Sequence, residues 1–273
     1  MRPAGERVRL FLGEHDRVQA DESLPHGDVC VRSVRSPDKS TPNEDAAAVI
    51  AVADGSLVLA VADGVGSTSG AREASNVAVR TLSRILDDVP RDEPQLRPAI
   101  LDAVEEANKT VLGLARSAAT TLVVAQLTAS QLRSYHVGDS ELLAVGQRGR
   151  IKQRVVPHSP TGFAVEAGLL DEDEAVRHDQ RHVLFNVIGS PDMRVEVGPA
   201  VQLAVRDTVL LASDGLFDNL FIDEIVDSIR VGPLSDAADR LVERVGKRMS
   251  GNGASDQPCK PDDLTVVLYR RHR

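Results

Sequence analysis

The sequence predicts an α+β fold in which antiparallel sheets carry helices packed on an outer face. Three observations lead there. Short runs rich in Val, Leu and Ala recur along most of the chain, and tight-turn residues separate them. Two long helical patterns then follow one another with no strand between, which a parallel βαβ sheet does not accommodate.

The elements read as follows in chain order. Residues 1–27 are polar and weakly periodic, and are expected to form an N-terminal extension or an edge element ahead of a main domain at 28–273. Residues 35–42, rich in Ser, Pro and Lys, read as a loop. The runs AAAVIAVA (46–53) and SLVLAVA (56–62) flank Asp54-Gly55, a pair suited to a two-residue hairpin turn. That turn would set Asp63 opposite Ala46 and Asp45 opposite Gly64. Apolar steps of three or four predict helices over 71–86 (Ala71, Ala74, Ala78, Leu82), 95–115 (Leu96, Ile100, Ala103, Ala107) and 234–249 (Leu234, Ala238, Leu241, Val245). Strands are expected at 120–127, 131–137, 141–145, 150–155, 194–205, 208–212 and 264–269. Residues 157–190 are irregular, with a short helix expected in 164–175, and read as a surface flap.

Composition removes several classes of function. Aromatic residues make up 3% of the chain and Trp is absent, so the core is aliphatic and stacking platforms for single-stranded nucleic acid are lacking. The net charge of −9 opposes general attraction to nucleic acid or to an anionic membrane surface. No apolar run is long enough to span a bilayer, and the first residues lack the apolar stretch of a signal peptide. Cys30 and Cys259 are far apart and fit neither a zinc motif nor a disulfide framework, which suggests a cytoplasmic setting.

The acidic residues carry the chemistry. Glu44 and Asp45 enter the expected hairpin beside the point where Asp63 leaves it. Carboxylates so close repel and resist ionising together, and a bound divalent cation turns that repulsion into affinity. Hard ions such as Mg²⁺ and Mn²⁺ prefer such oxygen ligands. Further acids sit at other strand ends: Asp214 and Asp218 after TVLLA, Asp262-Asp263 before LTVVLY, and Asp139 between two strands. Singly, each is ordinary turn chemistry. Together they place Asp at four strand ends, which turn formation does not require.

In order along the chain stand Asn43-Glu44-Asp45, Ala62-Asp63-Gly64-Val65-Gly66, Ala119-Thr120-Thr121, Val137-Gly138-Asp139-Ser140, Ser213-Asp214-Gly215-Leu216-Phe217-Asp218 and Asp262-Asp263-Leu264-Thr265-Val266-Val267. In this series the sequence resembles the metal-dependent protein phosphatases of type 2C, from about residue 28 to the end of the chain. The stretches Glu166–Leu169 and His178–Leu184 look like the flap of bacterial members.

The resemblance implies a four-layer α-β-β-α sandwich whose catalytic domain, 28–273, hydrolyses protein phosphoserine and phosphothreonine with a water shared by two Mn²⁺ or Mg²⁺ ions. By position, Asp63 would bridge both ions. Glu44 and the Gly64 carbonyl would complete one, and Asp214 and Asp262 the other. Asp45 would hydrogen-bond the water, and Asp139 with Asp218 would form a weaker third site. The implied partner is a phosphorylated protein, with a Ser/Thr kinase in opposition. The sequence departs from the pattern twice. Ser40 stands where the family often has a phosphate-gripping Arg, leaving Arg35 or Lys39 as substitutes, and Val65 stands where animal members have a His.

Competing chemistries fail on residues. Neither cysteine has an Arg six positions on, and no G-x-S-x-G is present. Gly64-Val65-Gly66 and Gly70 superficially suit a dinucleotide turn, but Asp63 would repel a pyrophosphate there. The alternative kept open is a weak or inactive protein that uses the same fold for regulation or interaction.

Overall fold

Alternation along the strands divides each between two cores. The computed structural model describes residues 8–13, 15–52, 55–66, 70–90, 95–114, 118–251 and 257–272. Along β4 (Asp45–Ala51), Ala46, Ala48 and Ile50 turn one way, and Ala47 and Val49 the other. Along β5 (Leu57–Val65), Val58, Ala60 and Ala62 likewise oppose Leu57, Leu59 and Val61. The first set packs under helices α1 (Gly70–Asp87) and α2 (Leu96–Leu112). The second set meets another sheet. The two-residue period of a strand produces this division.

One sheet runs β1 (Val8–Phe11), β4, β5, β7 (Leu122–Leu127), β8 (Gln131–Val137) and β11 (Glu196–Val197). β6 (Ala119–Thr120) also pairs with β5, and β12 (Val201–Gln202) with β8. The other sheet runs β10 (Ile151–Arg154), β9 (Glu141–Val145), β13 (Thr208–Ala212), β14 (Leu264–Arg271), β3 (Gly27–Val34) and β2 (Arg17–Leu24). Leu210, Ala212, Val266 and Leu268 on its outer face pack under α5 (Asp214–Phe217), α6 (Ile222–Ile229) and α7 (Leu234–Met249). Val209, Leu211 and Val267 point inward to the first sheet. The architecture is the expected four-layer α-β-β-α sandwich.

Several expectations are corrected. The β4–β5 register pairs Asp45 with Asp63 and Ala46 with Ala62, one residue away from the expected pairing. Val52 N–H bonds the Ser56 carbonyl at 2.8 Å, and Gly55 has φ +73°, so three residues, not two, make the connection. A three-residue loop closed by a left-handed glycine fits that geometry. Asp54 itself lies outside the described residues.

Of the two readings of the first residues, the described part takes the edge element: β1 pairs with β4 and β2 with β3 at the sheet edges; residues 1–7 lie outside the described residues. The strand expected at 194–205 is two short pairings with β8, because Pro199 between them cannot donate to a ladder. In the flap, Asp171 caps a second helix through a reciprocal bond with Glu174. Two helices, α3 (Pro160–Glu166) and α4 (Glu172–Arg177), therefore replace the single one expected. Among the described residues no helix is long and apolar enough to cross a membrane.

Candidate metal centre

Strand direction alone gathers the acidic residues. Asp45 opens β4 and Asp63 lies near the end of β5 as its direct partner. Ala212, the last residue of β13, is flanked by Glu141 at the start of β9 and Val266 near the start of β14. Asp214, Asp139 and Asp262-Asp263 therefore leave neighbouring strands at the same end of the sandwich.

Hydrogen bonds then fix the backbones and aim the side chains. Asp63 N–H donates to Thr121 Oγ1 (3.0 Å), and the Asp63 carbonyl accepts from Thr121 N–H and Thr120 Oγ1, both at 2.8 Å. The Glu44 carbonyl accepts from Ser75 Oγ (2.6 Å) and Gly64 N–H (3.2 Å). Gly64 has to be glycine: a Cβ there would lie 2.4 Å from the Ala71 carbonyl oxygen. Ser213 Oγ joins the two sheets, donating to Asp45 Oδ2 (2.8 Å) while accepting from Thr265 N–H (3.0 Å). Asp263, 2% exposed, accepts from Ser36 N–H (2.7 Å) and Glu44 N–H (2.9 Å). Asp263 thus holds the Glu44 loop, while Asp262 beside it stays half-buried.

Two lysines meet these acids. Lys39 Nζ lies 2.8 Å from Glu44 Oε2, 3.0 Å from Asp263 Oδ2 and 3.3 Å from Asp262 Oδ1. Lys260 Nζ lies 2.5 Å from Asp214 Oδ2, 2.7 Å from Asp218 Oδ2 and 3.4 Å from Asp262 Oδ2. Glu44, Asp262 and Asp214 are in this way linked through two ammonium groups. Arg35 is not brought in: its guanidinium pairs with Asp16 at 3.2 Å, across the β2–β3 end. Of the two phosphate-gripping residues expected, the structure puts Lys39 alone at the acids.

Crowding shows in the proton affinities. Burial raises the Asp63 carboxyl well above its ordinary range, and the charges of Asp45, Asp214, Asp262 and Asp139 add to it. Burial raises Asp45, with Asp263 adding to it, and raises Asp139, with Asp214 and Asp218 adding. Asp218 is pushed up to about 6, by burial first and the Asp214 charge next. Asp262 also rises, from burial and then Asp214. Asp214 goes the other way: burial pushes it up, but Lys260 more than offsets this and holds it below the usual range.

These residues fit divalent cations. The donors are all hard oxygens, and buried Asp45 Oδ1 and Asp214 Oδ1 have no hydrogen-bond partner. A buried carboxylate oxygen without a partner carries a desolvation cost that a cation would remove.

His136, His158 and Glu196 also cluster within ligand reach of one another, but both ring nitrogens of His158 are already engaged. His158 Nδ1 accepts the Gly138 N–H (3.1 Å), which puts the ring proton on Nε2, 3.3 Å from Glu196 Oε2. Burial, then the neighbouring His158, push His136 down to about 4, so it is neutral. The stacked pair instead supports the Gly138-Asp139 turn.

A cleft of about 310 Å³ opens between the flap and the acids, lined by Asp139, Asp214 and Asp218 on one side and Thr161, Val165 and Arg181 on the other. Arg181 and Lys260 are not among the site residues expected from the sequence. Arg181 Nε reaches within 3.7 Å of Asp218, and Lys260, two residues before Asp262, had proximity in the chain as its one signal.

Residues 35–256 match the family model for protein phosphatase 2C. Protein phosphatase PhpP of Streptococcus pneumoniae is 30% identical over 241 residues, 84% of this chain and 92% of that protein. Serine/threonine phosphatase stp of Listeria monocytogenes is 29% identical, over 84% of this chain and 90% of its own. The crystal structure of the phosphatase MsPP from Mycobacterium smegmatis, with cacodylate, superposes with a TM-score of 0.71 at 28% identity, over 89% of this chain and 97% of that one. The PstP catalytic domain in complex with two manganese ions shares the fold, with a TM-score of 0.73 at 23% identity over 91% and 99% of the two chains.

Proposed function

The chain belongs to the protein phosphatase 2C family, and we propose that it is a metal-dependent phosphatase of phosphoserine and phosphothreonine in proteins. The observation that carries this reading is the meeting of Glu44, Asp63, Asp214 and Asp262 at one end of the sandwich, with buried carboxylate oxygens left unpartnered.

In this reading two ions, Mn²⁺ or Mg²⁺, would be held here: Asp63 would serve both, Glu44 and the Gly64 carbonyl would complete one, and Asp214 and Asp262 the other. Bound divalent ions lower the pKa of a water toward neutrality and neutralise the charge on phosphate oxygens, which is most of what phosphoryl transfer needs. The protein supplies the rest. Asp45, turned by Ser213 so that Oδ1 remains free, accepts a hydrogen bond from the attacking water and orients it. Lys39, 30% exposed at the rim, leaves Glu44 and Asp263 for the substrate phosphate as that group arrives. Val65 offers no proton, so the leaving serine or threonine oxygen takes one from water.

A cytoplasmic setting, in opposition to a Ser/Thr kinase, suits two unbridged cysteines and a phosphoprotein substrate. The alternative of an inactive interaction protein is opposed by the acidic set, which is complete.

Hydrolysis of a phosphothreonine peptide by metal-stripped protein tests the proposal. Phosphate release should require added Mn²⁺ or Mg²⁺. Release at the same rate in chelator, or none with either ion, contradicts it.

A further inference from the structure

Lys260 stands among three carboxylates, those of Asp214, Asp218 and Asp262, and an ammonium has three N–H donors to offer. Its position is built into the backbone. Asn219, fully buried, donates from Nδ2 to the Lys260 carbonyl (2.8 Å) and accepts the Lys260 N–H at Oδ1 (2.9 Å). The same Nδ2 also donates to the Gly215 carbonyl (3.0 Å). One amide therefore ties Lys260 to the turn that carries Asp214 and Asp218.

We propose that Lys260 is the resident cation at the Asp139–Asp218 end of the centre, in place of a third metal ion, so that this chain takes up two divalent ions and not three. The assignment rests on the metal-centre reading above. The way Asp214 is shared supports it. Lys260 engages Oδ2 of Asp214, whereas Oδ1 has no hydrogen-bond partner and stays available toward Asp63. The lysine therefore takes up the outer end and leaves the Asp63 side open. Its charge also offsets the repulsion of Asp139 by Asp214 and Asp218. A tethered group acts at an effective concentration of about millimolar, enough to hold a weak pair of carboxylates against scarcer free metal.

Equilibrium dialysis against Mn²⁺ held well below millimolar, followed by elemental analysis, counts the ions per chain. Wild type should hold two and Lys260→Gln three. Three ions in the wild type, or two in Lys260→Gln, overturn the assignment while leaving the metal centre intact. Should the variant fail to fold, anomalous scattering from Mn²⁺-soaked wild-type crystals decides the matter: no peak between Asp139 and Asp218 is expected, and a peak there refutes the proposal. No ion bound anywhere would instead overturn the metal-centre reading itself.

Discussion

Asp45 and Asp63 are direct cross-strand partners, the last pair of the β4–β5 ladder. Partners in a ladder project to the same face about 5 Å apart, so the pairing sets two carboxylates side by side toward the gap between the sheets. A one-residue slip would send them to opposite faces. The three-residue connection closed by Gly55 is therefore what makes a two-carboxylate site possible at the far end of the hairpin.

This crowding predicts opposite effects of one substitution on activity and stability. Asp63→Asn should lower kcat on a phosphothreonine peptide on the order of 10³-fold, because a cation ligand is lost. In chelator the same variant should melt about 2–4 °C above wild type, since a buried like-charge contact is relieved. Asp214→Asn should lose activity similarly without the gain in stability, because Lys260 already compensates that charge. Steady-state rates and calorimetry separate the two effects.

The raised carboxyls predict how metal and pH combine. Asp218 has a folded pKa of about 6 against an ordinary 3.8, so the folded state binds more protons between those values. Stability from this group is present at low pH and lost as pH rises through about 6, by on the order of 3 kcal/mol. Asp45, Asp63 and Asp139 act in the same direction. Buried His136 has the opposite sign, losing stability as pH falls from its ordinary 6.5 toward about 4, but it does so with or without metal. The rise in Tm on adding Mn²⁺ should therefore be larger at pH 7.5 than at pH 5. An equal rise at both would show that the acids are not coupled to the ion.

Lys39 should act on substrate binding. Lys39→Ala is expected to raise KM for a phosphopeptide about tenfold, with a smaller change in kcat, the signature of a contact made equally in ground and transition states. Lys39→Arg, with a planar fork suited to phosphate, should restore KM. An unchanged KM in Lys39→Ala would remove the residue from the substrate site.

The inner core should tolerate truncation poorly. Leu211 is fully buried between the sheets, and Leu211→Ala should cost about 2–5 kcal/mol. Denaturant unfolding should show a lower midpoint at unchanged slope.

Much of this was legible in the residues. The alternation of Ala46, Ala48 and Ile50 against Ala47 and Val49 announces a strand buried on both faces, and the three long helices follow from their period. Asp at successive strand ends marks the site because antiparallel strands return their ends to shared edges. What escaped the reading has local causes. The Asp-Gly pair suggested a two-residue turn, although a glycine with positive φ closes a three-residue one equally well. β2 alternates exposed Arg17, Gln19, Asp21 and Ser23 with half-buried Val18, Ala20, Glu22 and Leu24, a weak contrast typical of an edge. α5 and α6 are too short for a periodic signal. Lys260 escaped because its partners Asp214 and Asp218 are more than forty residues away, and the capture of Arg35 by Asp16 depends on the β2–β3 pairing.

The most direct measurement is anomalous scattering at the manganese edge from crystals soaked in Mn²⁺. Two peaks are expected, one touching Glu44 and Asp63 and the other touching Asp63, Asp214 and Asp262. No peak at these carboxylates, or ions held elsewhere on the molecule, would contradict the account.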